Sequence, residues 1–79
     1  MLIAHGASDG FVPRERVDAF SKALNDAGVD WEMTLYGGAL HGFTNPYADG
    51  YGIDALAYNE SADRRSWLRL LRFLEEIFE

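Results

Sequence analysis

Apolar and polar positions along this chain follow two different periods. Between Arg14 and Ala27 the residues Val17, Phe20, Leu24 and Ala27 recur at the spacing that lines one face of an α-helix. Pro13 stands just ahead, where a missing backbone N–H costs nothing in the first turn. Gly28 stands just behind, the usual residue for a left-handed helix stop. The period then changes: Trp31-Glu32-Met33-Thr34-Leu35-Tyr36 alternates strictly, as a strand with one buried face does. Upstream, Leu2-Ile3-Ala4 reads as the end of a buried strand, followed at once by the turn-rich His5-Gly6-Ala7-Ser8-Asp9-Gly10. Gly37-Gly38 breaks the second strand, and a loop then carries Leu40-His41-Gly42-Phe43. An irregular stretch from Thr44 to Tyr58, rich in Gly, Asp and aromatics, leads to Asn59, a good N-cap. The last helix is predicted from about Glu60 to Phe78. Its stripe of Trp67, Leu70, Leu71, Leu74, Ile77 and Phe78 is expected to be core, with Arg64, Arg65, Arg69 and Arg72 largely off it.

The order strand, helix, strand, loop, helix places the chain in the α/β class with two parallel strands, since such a unit is normally a right-handed crossover. Two strands alone make a poor sheet, and parallel sheets are found with both faces covered. Residues 1–79 are therefore expected to form a single partial domain, the C-terminal end of a larger α/β sheet, with an open strand edge. No internal repeat, low-complexity tract or linker interrupts them.

Composition narrows the function classes. Seventy-nine residues suffice for one small domain with a thin core. Cysteine is absent, which removes disulfides, Cys-zinc sites and a thiol nucleophile from this stretch. An apolar share of 48% and an aromatic share of 14% oppose intrinsic disorder. Thirteen acidic against seven basic residues give a net charge of −6, which argues against nucleic acid or an anionic membrane as partner. No apolar run approaches the roughly 20 residues of a membrane span, and Met1-Leu2-Ile3-Ala4 lacks the basic start of a signal peptide. A soluble, cytoplasmic chain is expected.

The candidate chemistry lies beyond the two strand ends. Asp9 follows the first strand and His41 the second, and at that edge of open α/β sheets ligand and catalytic groups collect. Paired, Asp9 would accept from one imidazole nitrogen and leave the other as a base. The same spacing also suits a turn-forming Asp and an incidental loop His. His5 with Asp9 and His41 would make a two-His, one-carboxylate metal set, but the spacing of a zinc motif is missing and no metal is expected. His5 reads more simply as a strand-end ring bonded to nearby backbone. Asp49-Gly50-Tyr51-Gly52-Ile53-Asp54 lacks the ligand alternation of a calcium loop and reads as a solvated turn. Ser8 in Gly6-Ala7-Ser8-Asp9-Gly10 fits G-x-S-x-G, yet a nucleophile elbow runs directly into a helix, and here Pro13 puts the helix start later. Tyr47, Tyr51 and Tyr58 either line a pocket or pin the long loop.

Three segments resemble the dienelactone hydrolase family of α/β hydrolases: His5-Gly6-Ala7-Ser8-Asp9-Gly10-Phe11-Val12-Pro13, Tyr36-Gly37-Gly38-Ala39-Leu40-His41-Gly42-Phe43-Thr44-Asn45-Pro46, and Ala57-Tyr58-Asn59-Glu60-Ser61-Ala62-Asp63-Arg64-Arg65-Ser66-Trp67. The resemblance implies the last part of an α/β-hydrolase fold, with Asp9 as triad acid and His41 as triad base. It implies hydrolysis of carboxylic esters or lactones through an acyl-enzyme on a Cys or Ser, without cofactor or metal. Phe43, Tyr47 and Tyr51 are the candidate substrate-binding residues. The nucleophile elbow and oxyanion-hole backbone of the family have no counterpart in these residues, so the chain alone is expected to be inactive. The alternatives are a non-catalytic module that self-associates through its open sheet edge, or one half of a split hydrolase completed by an N-terminal segment.

Overall fold

The computed structural model describes residues 1–78. β1 (Leu2–Gly6), α1 (Arg14–Asp26), β2 (Glu32–Tyr36), a short 3₁₀ helix (Ala48–Tyr51) and α2 (Glu60–Ile77) follow in that order. The strands pair in parallel, with Leu2 opposite Glu32 and Gly6 opposite Tyr36, so both run out at the same edge. α1 makes the crossover between them.

Local signals account for the helix ends. Pro13 is extended (φ −69°, ψ 165°), and its carbonyl accepts from the N–H groups of Arg16 and Val17 as α1 begins. Gly28 closes α1 at φ +70°. There the Val29 N–H reaches the Leu24 carbonyl and the Gly28 N–H the Asn25 carbonyl, each at 3.1 Å, which satisfies two carbonyls of the last turn. At α2 the Asn59 side chain accepts from the Ala62 N–H at 3.1 Å.

The core is small and sits at the carboxyl end of β2. Tyr36, Ala39, Phe43 and Ala62 form one buried cluster, with the Tyr36 and Phe43 rings 5.5 Å apart. Val17 and Leu24 of α1 are also buried, but Phe20 and Ala27 are exposed, so the buried face of α1 is narrower than its pattern predicts. Strict one-faced burial of β2 is not seen either: Met33, Thr34 and Leu35 are all half-buried.

The largest departure is α2. Trp67, Leu71, Leu74, Ile77 and Phe78, expected to be core, are exposed, Trp67 by 56% and Phe78 by 81%, and Leu70 is half-buried. Length explains it. A helix of 18 residues runs about 27 Å, whereas strands of 5 residues span about 17 Å and lie only two abreast. Only its first turn, at Ala62, enters the core, and further along Arg69 forms a side-on ion pair with Glu32 at the start of β2. The molecule is accordingly flat, 39 × 30 × 17 Å. Its radius of gyration of 13.7 Å exceeds the roughly 12 Å of a compact domain this long. Among the described residues, no helix is long and apolar enough to cross a membrane.

Candidate active site

The two strand ends are clamped together by backbone. The Ala7 N–H donates to the Tyr36 carbonyl at 2.9 Å and the Ser8 N–H to the Ala39 carbonyl at 3.0 Å. Gly6 makes this approach possible. A Cβ there would stand 2.5 Å from the Ala39 oxygen and 2.9 Å from that of Leu40, both main-chain atoms. Beyond the clamp one chain leads to Asp9, whose N–H returns to the Gly6 carbonyl at 3.1 Å. The other passes Gly38, at φ +72°, and reaches His41, whose backbone bridges to Leu56.

Asp9 and His41 meet. The His41 Nδ1–H donates to Asp9 Oδ2 at 2.9 Å. Asp9 Oδ1 accepts two backbone bonds, from Phe11 at 2.8 Å and from Val12 at 3.2 Å, the pattern of an Asp that caps its own turn. The carboxylate is only 8% exposed. Burial pushes its pKa up, but the His41 hydrogen bond, the two backbone N–H groups and the His41 charge together outweigh it, and the pKa lies below the ordinary 3.8. The His41 ring is 48% exposed. With Nδ1 committed to Asp9, its lone pair for taking a proton lies on Nε2.

The other candidates separate. His5 Nε2–H donates to the Val12 carbonyl at 3.2 Å, and its Nδ1 lies 3.9 Å from Asp9 Oδ2, so this ring braces the loop that carries Asp9. Among the described residues, no three His, Asp or Glu side chains are arranged to hold a metal ion. Ser8 is followed by non-helical chain up to Arg14, unlike a nucleophile elbow. Phe43 is buried in the core cluster, whereas Tyr47 and Tyr51 are 77% and 61% exposed at the 3₁₀ helix. Tyr58 pins the loop: its N–H donates to Asp49, and its hydroxyl donates to Asp63 Oδ2 at 2.8 Å. That bond to a carboxylate raises the Tyr58 pKa. Two contributors escaped the sequence reading. Gly6 has no turn conformation to betray it, and Phe11, whose ring lies 5.0 Å from that of His41, is one aromatic among many.

The dienelactone hydrolase family model matches residues 1–78. The chain belongs to the dienelactone hydrolase family. An uncharacterized protein of Caenorhabditis elegans is 34% identical over 76 residues, which is 96% of this chain and 48% of that protein. A dienelactone hydrolase-like promiscuous phosphotriesterase from metagenomic libraries superposes with a TM-score of 0.91 at 37% identity, over 95% of this chain and 31% of its own. A further solved structure, m3DLH, also superposes at 0.91, with 40% identity over 99% of this chain and 32% of its own. The chain thus spans about half the length of the curated relative and about a third of the two solved structures. The parallel strands and their helices are part of the α/β-hydrolase fold of this family.

Proposed function

We propose that these residues supply the acid and base of a hydrolytic triad in a dienelactone hydrolase-like enzyme acting on carboxylic esters or lactones. The observation that supports this reading best is the 2.9 Å bond from His41 Nδ1 to a buried Asp9 whose other oxygen is held by two backbone N–H groups. A carboxylate fixed in this way cannot swing off the imidazole, and it keeps the proton on Nδ1. His41 Nε2 then takes the proton of a Cys or Ser nucleophile as that atom attacks the ester carbonyl. The imidazolium, stabilised by Asp9, returns the proton to the departing alkoxide. In the second half-reaction Nε2 accepts a proton from water as the water oxygen attacks the acyl carbonyl. The bond from the acyl carbon to the nucleophile breaks, the carboxylic acid leaves, and the imidazolium returns the proton to the nucleophile. Nucleophile and oxyanion donors belong to the part of the fold outside these 79 residues. Tyr47 and Tyr51, exposed on the loop beyond His41, are proposed for the rim of the substrate pocket.

The test uses the natural full-length protein with an activated carboxylic ester, a dienelactone and a phosphate triester, the last because one structural neighbour is a promiscuous phosphotriesterase. Carboxylic-ester or lactone turnover is expected, with a loss of about 10²–10⁴-fold in His41→Ala. Activity that survives His41→Ala refutes the assignment. The 79 residues alone are expected to turn over no faster than free imidazole.

A second reading is self-association. The exposed Trp67 of α2 lines a groove of about 280 Å³ together with Leu2, Ala4, Thr44, Ser66 and Leu70. Sedimentation of the isolated chain at rising concentration distinguishes a dimer from a monomer.

A further inference from the structure

We propose that Phe11 is a positioning residue for the His41 imidazole, a role that rests on the triad reading above only for its effect on turnover. Phe11 acts on the pair from both of its halves. Its N–H holds Asp9 Oδ1 at 2.8 Å, which turns Oδ2 toward His41. Its ring stands 5.0 Å from the His41 ring at 58°, a tilted contact of the kind aromatic pairs favour. Among the described residues the Phe11 side chain is 51% exposed, and the His41 ring is its aromatic partner. The His41 ring is about half open to solvent, and its hydrogen bond to Asp9 holds it at one atom, Nδ1. One bond restrains a ring poorly against rotation about its own axis, and a second contact on the ring restrains it. When Nε2 takes up a proton, the imidazolium also lies within the roughly 6 Å over which an aromatic ring attracts a cation.

Phe11→Ala separates the two halves, because it deletes the ring and keeps the N–H. The chain carries two histidines whose neighbours dictate opposite tautomers, Nδ1–H for His41 facing Asp9 and Nε2–H for His5 facing the Val12 carbonyl, so His5 serves as an internal control. The experiment records imidazole ¹⁵N shifts of the natural full-length protein at about pH 9, well above the ordinary imidazole range. In Phe11→Ala the ratio of Nδ1–H to Nε2–H tautomer at His41 is expected to fall about two- to ten-fold, the worth of an aromatic pair. His5 stays unchanged, and Phe11→Tyr retains the wild-type ratio. A His41 ratio untouched by Phe11→Ala overturns the proposal. So does a His5 ratio that moves with it, since the whole loop has then shifted. On a hydrolysed ester the same variant lowers kcat and leaves KM. A tautomer shift in a protein that hydrolyses no ester counts against the triad reading and for the positioning role.

Discussion

Replacing Gly6 by Ala tests whether the strand-end clamp builds the site. The new Cβ meets the Ala39 oxygen at 2.5 Å, so the loop after β2 must retreat by about 0.9 Å to regain the ordinary 3.4 Å. Main chain cannot rotate away as a long side chain can, and Ala39 is wholly buried beneath the site. The penalty is that of overpacking a tight core, about 2 kcal/mol, or roughly 8–16 °C in melting temperature for a domain this small. Gly6 is not among the glycines with positive φ, so the cost is steric and no backbone strain enters. The same retreat carries His41 from Asp9 and takes their 2.9 Å bond beyond hydrogen-bond range. A thermal melt followed by circular dichroism reads the first effect, and the His41 Nδ1–H resonance reads the second. Gly10→Ala is the control: nothing lies within 4 Å of its Cβ, and the change is expected to be neutral or stabilising by up to about 1 kcal/mol. If Gly6→Ala melts with Gly10→Ala and keeps the His41 resonance, the clamp is soft and the reasoning fails.

The depressed Asp9 pKa gives a pH dependence of stability. Its contribution is complete above the ordinary 3.8 and disappears as pH falls through the lower folded value, so acid melts between about pH 5 and pH 2 are expected to flatten in Asp9→Asn. Glu32, whose pKa is lowered by its hydrogen bond to Arg69, retains its own share, and an acid limb identical in Asp9→Asn contradicts the assignment. Asn59→Ala removes the acceptor of the Ala62 N–H and the partner of the Ser61 hydroxyl. It is expected to cost about 1 kcal/mol in thermal unfolding, and an unshifted melt means that the cap is not used.

How far each part could be read in advance depended on the range of the interaction behind it. Pro13, Gly28 and Asn59 act within one turn of their own helices, so the bounds of α1 and the start of α2 were legible. Asp9 and His41 were legible as strand-end residues, because two parallel strands must finish at one edge whatever their side chains. Phe43 was the opposite case. It stands among the candidate substrate-binding residues, and its ring packs in the core against Tyr36. The sequence shows the apolar stripe of α2 but not its exposure, because burial depends on what lies opposite the helix and the described sheet is too small to cover it.

The sequence alone determined the element order, the caps, the absence of a thiol and the two residue types available for acid and base chemistry, since these are properties of neighbours along the chain. Tertiary structure alone decided that Asp9 Oδ2 lies 2.9 Å from His41 Nδ1, across 32 positions of sequence. It also decided that Gly6 must lack a Cβ and that Phe11 faces the imidazole. Those facts depend on a parallel register and on one backbone crossing another at contact distance, and such a crossing leaves no periodic trace in the residues that make it.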